Sequence, residues 1–365
     1  MQFAISVPIG AWHPFLPMVL ESLRVQGRTV QVALLDASGD DRVRALAEHH
    51  SDWLAHRRHG PDSGQSDAII EGWRALDGDW LGWLNADDLL MPRAIEQVTE
   101  ALTADPSIDV IYGHSAILDS DGAMTGYHFN VEPPGPRLLS AGIISQPSCF
   151  FRRTSYEKVG GLNADLHFVM DWDLWIRLYE SGARFAFIET CLSMVLWGQD
   201  TKTSSLRKRR RKELDDLIGR YAPEADQKRV FRDFIIHALS DRVYPKSLRS
   251  RLQRKLRSAS GAPFGIRGDG ALMERASIQY ANYNHDPMDS VALEFEGNTN
   301  DIDLASNLGI KSLERQNNTI RIQFEQALAP GTTCEVMLNT PSQNETYFKM
   351  ATWFDSVRRS EGQRD

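Results

Sequence analysis

Four aspartates have the type and placement to meet a charged ligand. Asp87 and Asp88 stand together in Asn85-Ala86-Asp87-Asp88, directly past the apolar run Trp80 to Leu84. Carboxylates in such a turn can hold a hard divalent ion. That ion can bridge a diphosphate and stabilise the charge that grows as it leaves. Taken alone, the tetrapeptide favours a plainer reading, a cap on the helix that follows, with Pro92 near its first turn. Asp36 closes a second apolar run, Val30 to Leu35, at the polar turn Asp36-Ala37-Ser38-Gly39-Asp40. It is a ligand contact or only a turn former. Asp67 opens the helical stretch Asp67 to Leu76, where a carboxylate also answers the helix macrodipole.

Regular elements must hold these side chains in place. Phe3 to Ile9 is a β-branched-rich run ended by Gly10, and it predicts a buried first strand rather than a signal peptide. Pro17 to Val25, Asp41 to His50 and Arg93 to Leu102 have helical patterns, whereas Val110 to Tyr112 reads as a strand. This alternation predicts an α/β fold with a mostly parallel sheet and helices on both faces. Ligands of such sheets sit beyond the carboxyl ends of the strands, where Asp36 and Asp87-Asp88 fall.

The rest of the chain changes character. From Ser205 to Ser258 there are 17 Lys and Arg against 7 Asp and Glu, so this helical-patterned stretch is about +10 in a chain of −8. Residues 259–270 read as a linker, 271–356 as a small β-rich domain of sandwich type, and 357–365 as a tail. Val291, Leu293 and Phe295 alternate with polar neighbours, as do Ile320, Ile322 and Phe324, then Val336 and Leu338; Ala329-Pro330-Gly331 is a turn between strands. No apolar run approaches the roughly 20 residues that span a bilayer. Three scattered cysteines, Cys149, Cys191 and Cys334, support neither a disulfide framework nor a thiolate zinc site, and fit a reducing cytoplasm.

Six motifs in order resemble the inverting glycosyltransferases of family 2, over roughly residues 3 to 204. They begin with Ala4-Ile5-Ser6-Val7-Pro8, continue through Leu35-Asp36-Ala37-Ser38-Gly39-Asp40, and reach Pro61-Asp62-Ser63-Gly64-Gln65-Ser66-Asp67-Ala68-Ile69. Trp83-Leu84-Asn85-Ala86-Asp87-Asp88 follows, then Gln146-Pro147-Ser148-Cys149-Phe150-Phe151-Arg152-Arg153 leading to Val159-Gly160-Gly161-Leu162, and last Met170-Asp171-Trp172-Asp173-Leu174-Trp175-Ile176-Arg177. The order makes the set far more specific than any one motif.

The resemblance implies a GT-A fold over residues 1–204, a mixed, mostly parallel sheet flanked by helices. It places Pro8 beneath the nucleobase and Asp36 on it, gives Asp67 a part in ordering the donor site, and sets Asp87 at the ribose or metal. Asp88 becomes the closest ligand of Mn²⁺ or Mg²⁺. Asp171 becomes the general base that takes the acceptor hydroxyl's proton, so that one displacement inverts the anomeric centre. Asp173 would point elsewhere from an extended segment. Trp172 and Trp175 read as helix core, and His167 as a structural histidine. Asn85 replaces the usual first acid. The family's late histidine has no counterpart at Trp197-Gly198-Gln199-Asp200, where Asp200 offers an oxygen.

The partners that follow are a nucleotide-sugar donor and a saccharide or lipid-linked saccharide acceptor, in surface polysaccharide or glycolipid synthesis. The basic stretch 205–258 would rest on an anionic membrane at the cytoplasmic face, or be a solvated face or one paired with the acidic remainder. No recognition module accompanies its charge, so nucleic acid is not a predicted partner. Oligomeric state is not legible. Two other functions compete. A degenerate transferase would bind glycan without catalysis. A nucleotidyltransferase would need a Gly-rich, basic loop after its first strand, which Gly10-Ala11-Trp12-His13-Pro14 is not.

Overall fold

The computed structural model describes residues 1–118, 124–128, 134–196, 208–240, 262–267, 270–283, 286–297, 299–340 and 346–352. The chain divides into two compact units. The first comprises Met1–Ser115, Asn130–Met194 and Lys202–Ala238; the second takes Ala116–Phe129, Val195–Thr201 and Leu239–Asp365.

In the first unit, β1 (Phe3–Ile9) is buried along its whole length, Ser6 included, as a strand covered on both faces requires. The chain then alternates: α1 (Leu16–Arg24), β2 (Val30–Asp36), α2 (Asp41–His49), β3 (His56–His59), α3 (Gln65–Ala75) and β4 (Trp80–Trp83). β2 and β4 flank β1 in parallel, and β3 adds in parallel outside β2. The short β5 (Leu89–Leu90) and α4 (Ala94–Ala104) follow, then β6 (Val110–Leu118), whose first residues lie in this unit. Beyond β7 (Met124–His128), which belongs to the second unit, come β8 (Cys149–Arg152), α5 (Arg153–Lys158), α6 (Met170–Glu180) and β9 (Phe185–Leu196). β8 pairs antiparallel with both β4 and β6, and β5 pairs antiparallel with β9. The sheet is therefore mixed, with its parallel part over the first four strands.

The structure departs from the readings weighed on the sequence in three places. Asp87-Asp88 does not cap a helix: β5 follows it, and α4 starts only after Arg93, whose side chain makes no cap. Asp171 and Asp173 lie in the first turn of α6 rather than in an extended segment. Trp172, Trp175 and Ile176 drive this, because a helix buries all three together with Leu174 and Leu178. β3 was not foreseen, because His56-Arg57-Arg58-His59 has no apolar alternation.

The core of the unit is aromatic. Trp73 of α3 meets Trp83 and Phe151 edge-on, and Trp83 stacks on Trp175 with centroids 5.9 Å apart. α3 lies very close to the sheet at Gly72, where a Cβ would come within 2.8 Å of Leu35 Cδ2. The basic stretch joins this core. α7 (Lys208–Tyr221) buries Leu214, Leu217 and Ile218 against it, and α8 (Glu224–Ser240) adds Val230.

In the second unit, β10 (Arg275–Ala281), β12 (Asp303–Ser306) and β15 (Thr333–Asn339) form one antiparallel sheet. β11 (Met288–Glu296), β13 (Ile310–Gln316), β14 (Thr319–Leu328) and β16 (Tyr347–Thr352) form another, to which β7 adds through β16. The alternating residues Val291, Leu293, Phe295, Ile320, Ile322, Phe324, Val336 and Leu338 are all buried. The described part of the stretch read as a linker is folded onto this unit. Ile266 bridges Leu272, and Gly265 lies against Ala276 where a Cβ would clash. Among the described residues no helix is long and apolar enough to cross a membrane.

Candidate active site

The parallel registers place Ile9 opposite Asp36, with Pro8 one step back and buried beside Leu35. Leu84 N donates to Ser6 O at 3.0 Å, so the chain leaves β4 at the same edge. Parallel strand ends of this kind present backbone and side chains to a ligand.

Asp36 is 2% exposed, and both its oxygens are engaged. Oδ1 accepts Ser38 N at 2.8 Å and Ser38 Oγ at 2.5 Å, while Oδ2 lies 2.9 Å from His59 Nδ1. Burial works to raise its pKa, but the hydrogen bonds from Ser38 and His59 outweigh that and hold it below the ordinary value. His59 comes from β3, the strand the sequence did not reveal.

The loop before α3 is organised by its own carboxylates. Gly64 N donates to Asp62 Oδ1 at 3.0 Å and Ser63 N to Asp67 Oδ2 at 3.4 Å. Gly64 has φ +137°, a region that L side chains rarely adopt, so glycine is required there. Asp67 thus stands exposed in the first turn of α3 with its carboxylate toward this loop.

The acidic loop is tied together by amides. Gln65 Nε2 donates to Asn85 Oδ1 at 2.6 Å, and Asn85 Nδ2 donates to Asp88 Oδ2 at 2.8 Å. Gln146 Oε1 lies 3.4 Å from Asn85 Nδ2, and Gln146 Nε2 holds Trp83 O at 2.7 Å. Asp88 is buried, whereas Asp87 is half-buried. Burial raises the pKa of Asp87, partly offset by the charge of His13 from the β1–α1 loop. Neither Gln65, Gln146, His13 nor His59 had been singled out as a site residue. Gln65 and Gln146 sit inside the quoted motifs, but only the fold shows them meeting Asn85.

Asp171 reaches the same region from α6. Its Oδ1 accepts Trp172 N at 2.8 Å, and it is a close charged neighbour of Cys149. Burial first, then the Asp171 charge, pushes that thiol well above its ordinary pKa. Cys149 follows the Gln146-Pro147-Ser148 turn, so one short segment meets the acidic loop at Gln146 and feels the charge of Asp171 at Cys149. A buried hydroxyl cluster fixes this segment: Ser115 Oγ lies 2.7 Å from the Oγ atoms of Ser145, Ser148 and Ser193. Ser66 Oγ of α3 lies 2.8 Å from both Leu166 O and Met170 Sδ, which joins α3 to the segment leading to Asp171. Asp173 is turned away, paired with Arg177 at 2.8 Å. Trp172 and Trp175 are buried. Trp197-Gly198-Gln199-Asp200 lies outside the described residues.

A mixed sheet with an acidic turn at the carboxyl edge of its parallel strands, and a helix bearing carboxylates, has the architecture of the GT-A fold. Residues 13–160 match the model of Glycosyl transferase family 2. The chain is 24% identical over 210 residues to a chondroitin synthase of Escherichia coli, a match covering 56% of this chain and 30% of that protein. The chain thus spans under a third of that relative. It is also 25% identical to an uncharacterized glycosyltransferase of Haemophilus influenzae, over 67% of this chain and 84% of the relative. Among solved structures, residues 1–349 of TarS from S. aureus, in complex with UDP-GlcNAc, superpose with a TM-score of 0.50 at 13% identity, covering 72% of this chain and 82% of that one.

Proposed function

We propose that the protein is a metal-dependent, inverting glycosyltransferase that moves a sugar from a nucleotide-sugar donor to a saccharide or lipid-linked saccharide. The observation that carries this reading is the bound-together set Gln65–Asn85–Asp88 at the strand ends, with the charge of Asp171 acting on Cys149, three residues past Gln146. The nucleoside lies over Pro8 and Asp36, and Asp67 orders the loop beside the diphosphate.

Asp87 and Asp88 fit a hard divalent ion, Mn²⁺ or Mg²⁺, by the chemistry of their oxygens. Among the described residues no group of three His, Cys, Asp or Glu gathers to hold one. Two carboxylates suit an ion that fills its remaining positions with water and substrate phosphates. When bound, the ion supplies neutralisation of the departing diphosphate. The chain does the rest. Asp171 accepts the proton of the acceptor hydroxyl as its oxygen bonds to the anomeric carbon, while the bond to the diphosphate breaks on the opposite face.

The E. coli relative's name places it in polysaccharide synthesis, which supports a polymer or glycolipid acceptor here. Lys208, Arg211 and Lys212 of α7 are exposed, and each basic residue near an anionic leaflet contributes roughly 1 kcal/mol, which supports peripheral membrane association. The test is a panel of nucleotide sugars with and without Mn²⁺, read as nucleoside diphosphate release. Release that requires Mn²⁺ and disappears in Asp88→Ala is the expected result; metal-independent release that survives this change would refute the mechanism.

A further inference from the structure

α7 carries a clamp on the segment that delivers Asp171. Glu213, 7% exposed, accepts Phe168 N at 2.8 Å and His167 N at 3.0 Å on Oε2, while its Oε1 accepts Arg209 Nε at 3.1 Å. Arg209 Nη2 in turn donates to Asp165 O at 3.0 Å and to His167 Nδ1 at 2.6 Å. At the far end of the same helix, Tyr221 OH donates to Asp173 Oδ1 at 3.4 Å. α7 therefore grips the chain at residues 165, 167 and 168, before Asp171, and again at 173, after it.

This grip falls where α6 needs support. Val169, its N-cap, offers no side-chain acceptor, so the turn leading into the helix depends on outside partners. A buried carboxylate that takes two consecutive N–H groups fixes that turn, and the Arg209 guanidinium neutralises it. From the opposite side Ser66 holds Leu166 O. A guanidinium only donates, so His167 Nδ1 accepts, and a neutral ring carries its proton on Nε2. That atom lies 3.5 Å from where a Cβ on Gly64 would stand.

We propose that Glu213, with Arg209, is a positioning residue for glycosyl transfer, setting the pose of the 165–171 segment and thereby of Asp171. The proposal rests on Asp171 being the general base. Small displacements of a reacting group cost much rate, and a 1 Å shift can cost about 10²-fold. Glu213→Gln keeps one acceptor but turns an amide N–H toward a backbone N–H or Arg209.

The experiment measures kcat and donor KM for Glu213→Gln and Arg209→Met, alone and in an Asp171→Asn background, with the melting temperature of each. Arg209 is more exposed than Glu213, so its variant tests the clamp even where Glu213→Gln fails to fold. The expected result is a kcat about tenfold lower with donor KM unchanged, and no further loss once Asp171 is Asn. Wild-type kcat in both folded variants, or a fall that repeats in full on the Asp171→Asn background, overturns the clamp. Full transfer by Asp171→Asn alone instead overturns the base assignment, a separate outcome read from a separate protein.

Discussion

Asn85 donates its side-chain amide to the Asp88 carboxylate at 2.8 Å, three residues along the chain, and accepts from Gln65 at 2.6 Å. A carboxylate at position 85 would put like charges where this hydrogen bond now stands. The amide is thus a fit to the loop, and it ties α3 to the acidic turn. Asn85→Ala should cut both ties. A hydrogen bond to a charged group contributes about 1.5–3 kcal/mol, so donor affinity should fall by roughly 10- to 100-fold. Calorimetric titration of the nucleotide sugar in Mn²⁺ measures it; unchanged affinity would separate this network from the donor site.

Asp88→Ala and Asp87→Ala should each remove the stabilisation that nucleoside diphosphate plus Mn²⁺ gives the wild type in thermal unfolding. A ligand that binds only the folded state stabilises by RT ln(1 + [L]/Kd), about 2.7 kcal/mol at a hundredfold excess over Kd. An undiminished shift in both variants would take the ion away from these carboxylates.

Asp171→Asn should lower transfer to the acceptor by about 10²- to 10⁴-fold, the usual worth of a general base, with donor binding intact. Product formation and donor calorimetry, run on the same preparation, separate the two. Lost donor binding would mark Asp171 as part of the donor pocket instead.

Asp36 makes folding stability depend on acid. Its folded pKa lies below the ordinary 3.8. The unfolded chain therefore takes up a proton first as pH falls, and stability present above 3.8 is lost as pH drops through the lowered folded value. Urea midpoints at pH 3 and pH 6 should differ less in Asp36→Asn than in the wild type. An equal difference would show that Asp36 contributes nothing to it.

Gly72→Ala should destabilise the first unit by about 1–3 kcal/mol, because the added methyl meets Leu35 Cδ2 at 2.8 Å and Ser6 Cβ at 3.1 Å in a packed layer. Urea unfolding measures this directly. A neutral result would mean that α3 can move off the sheet.

The sequence by itself determined three of the four parallel strands and the β-rich unit. Phe3 to Ile9 appears as the strand its apolar run predicted, and the alternation in β11, β14 and β15 appears as buried faces. Period and composition are local properties, and burial follows them wherever a run is long enough. Asp36 and Asp87-Asp88 were legible for the same reason, since each lies where a run ends.

Only the tertiary structure decided what those carboxylates touch. His59 reaches Asp36 from a strand without apolar pattern, Gln65 and Gln146 meet at Asn85 from positions 20 and 61 residues away, and Glu213 supports the approach to Asp171 from 45 residues on. The stretch from Ser205 showed its charge and helical pattern, but only the structure shows α7 turning Leu214, Leu217 and Ile218 into the core and setting Arg209 on Glu213. Such contacts depend on three-dimensional packing between distant segments, and hydrogen bonds between them leave no periodic trace in the chain.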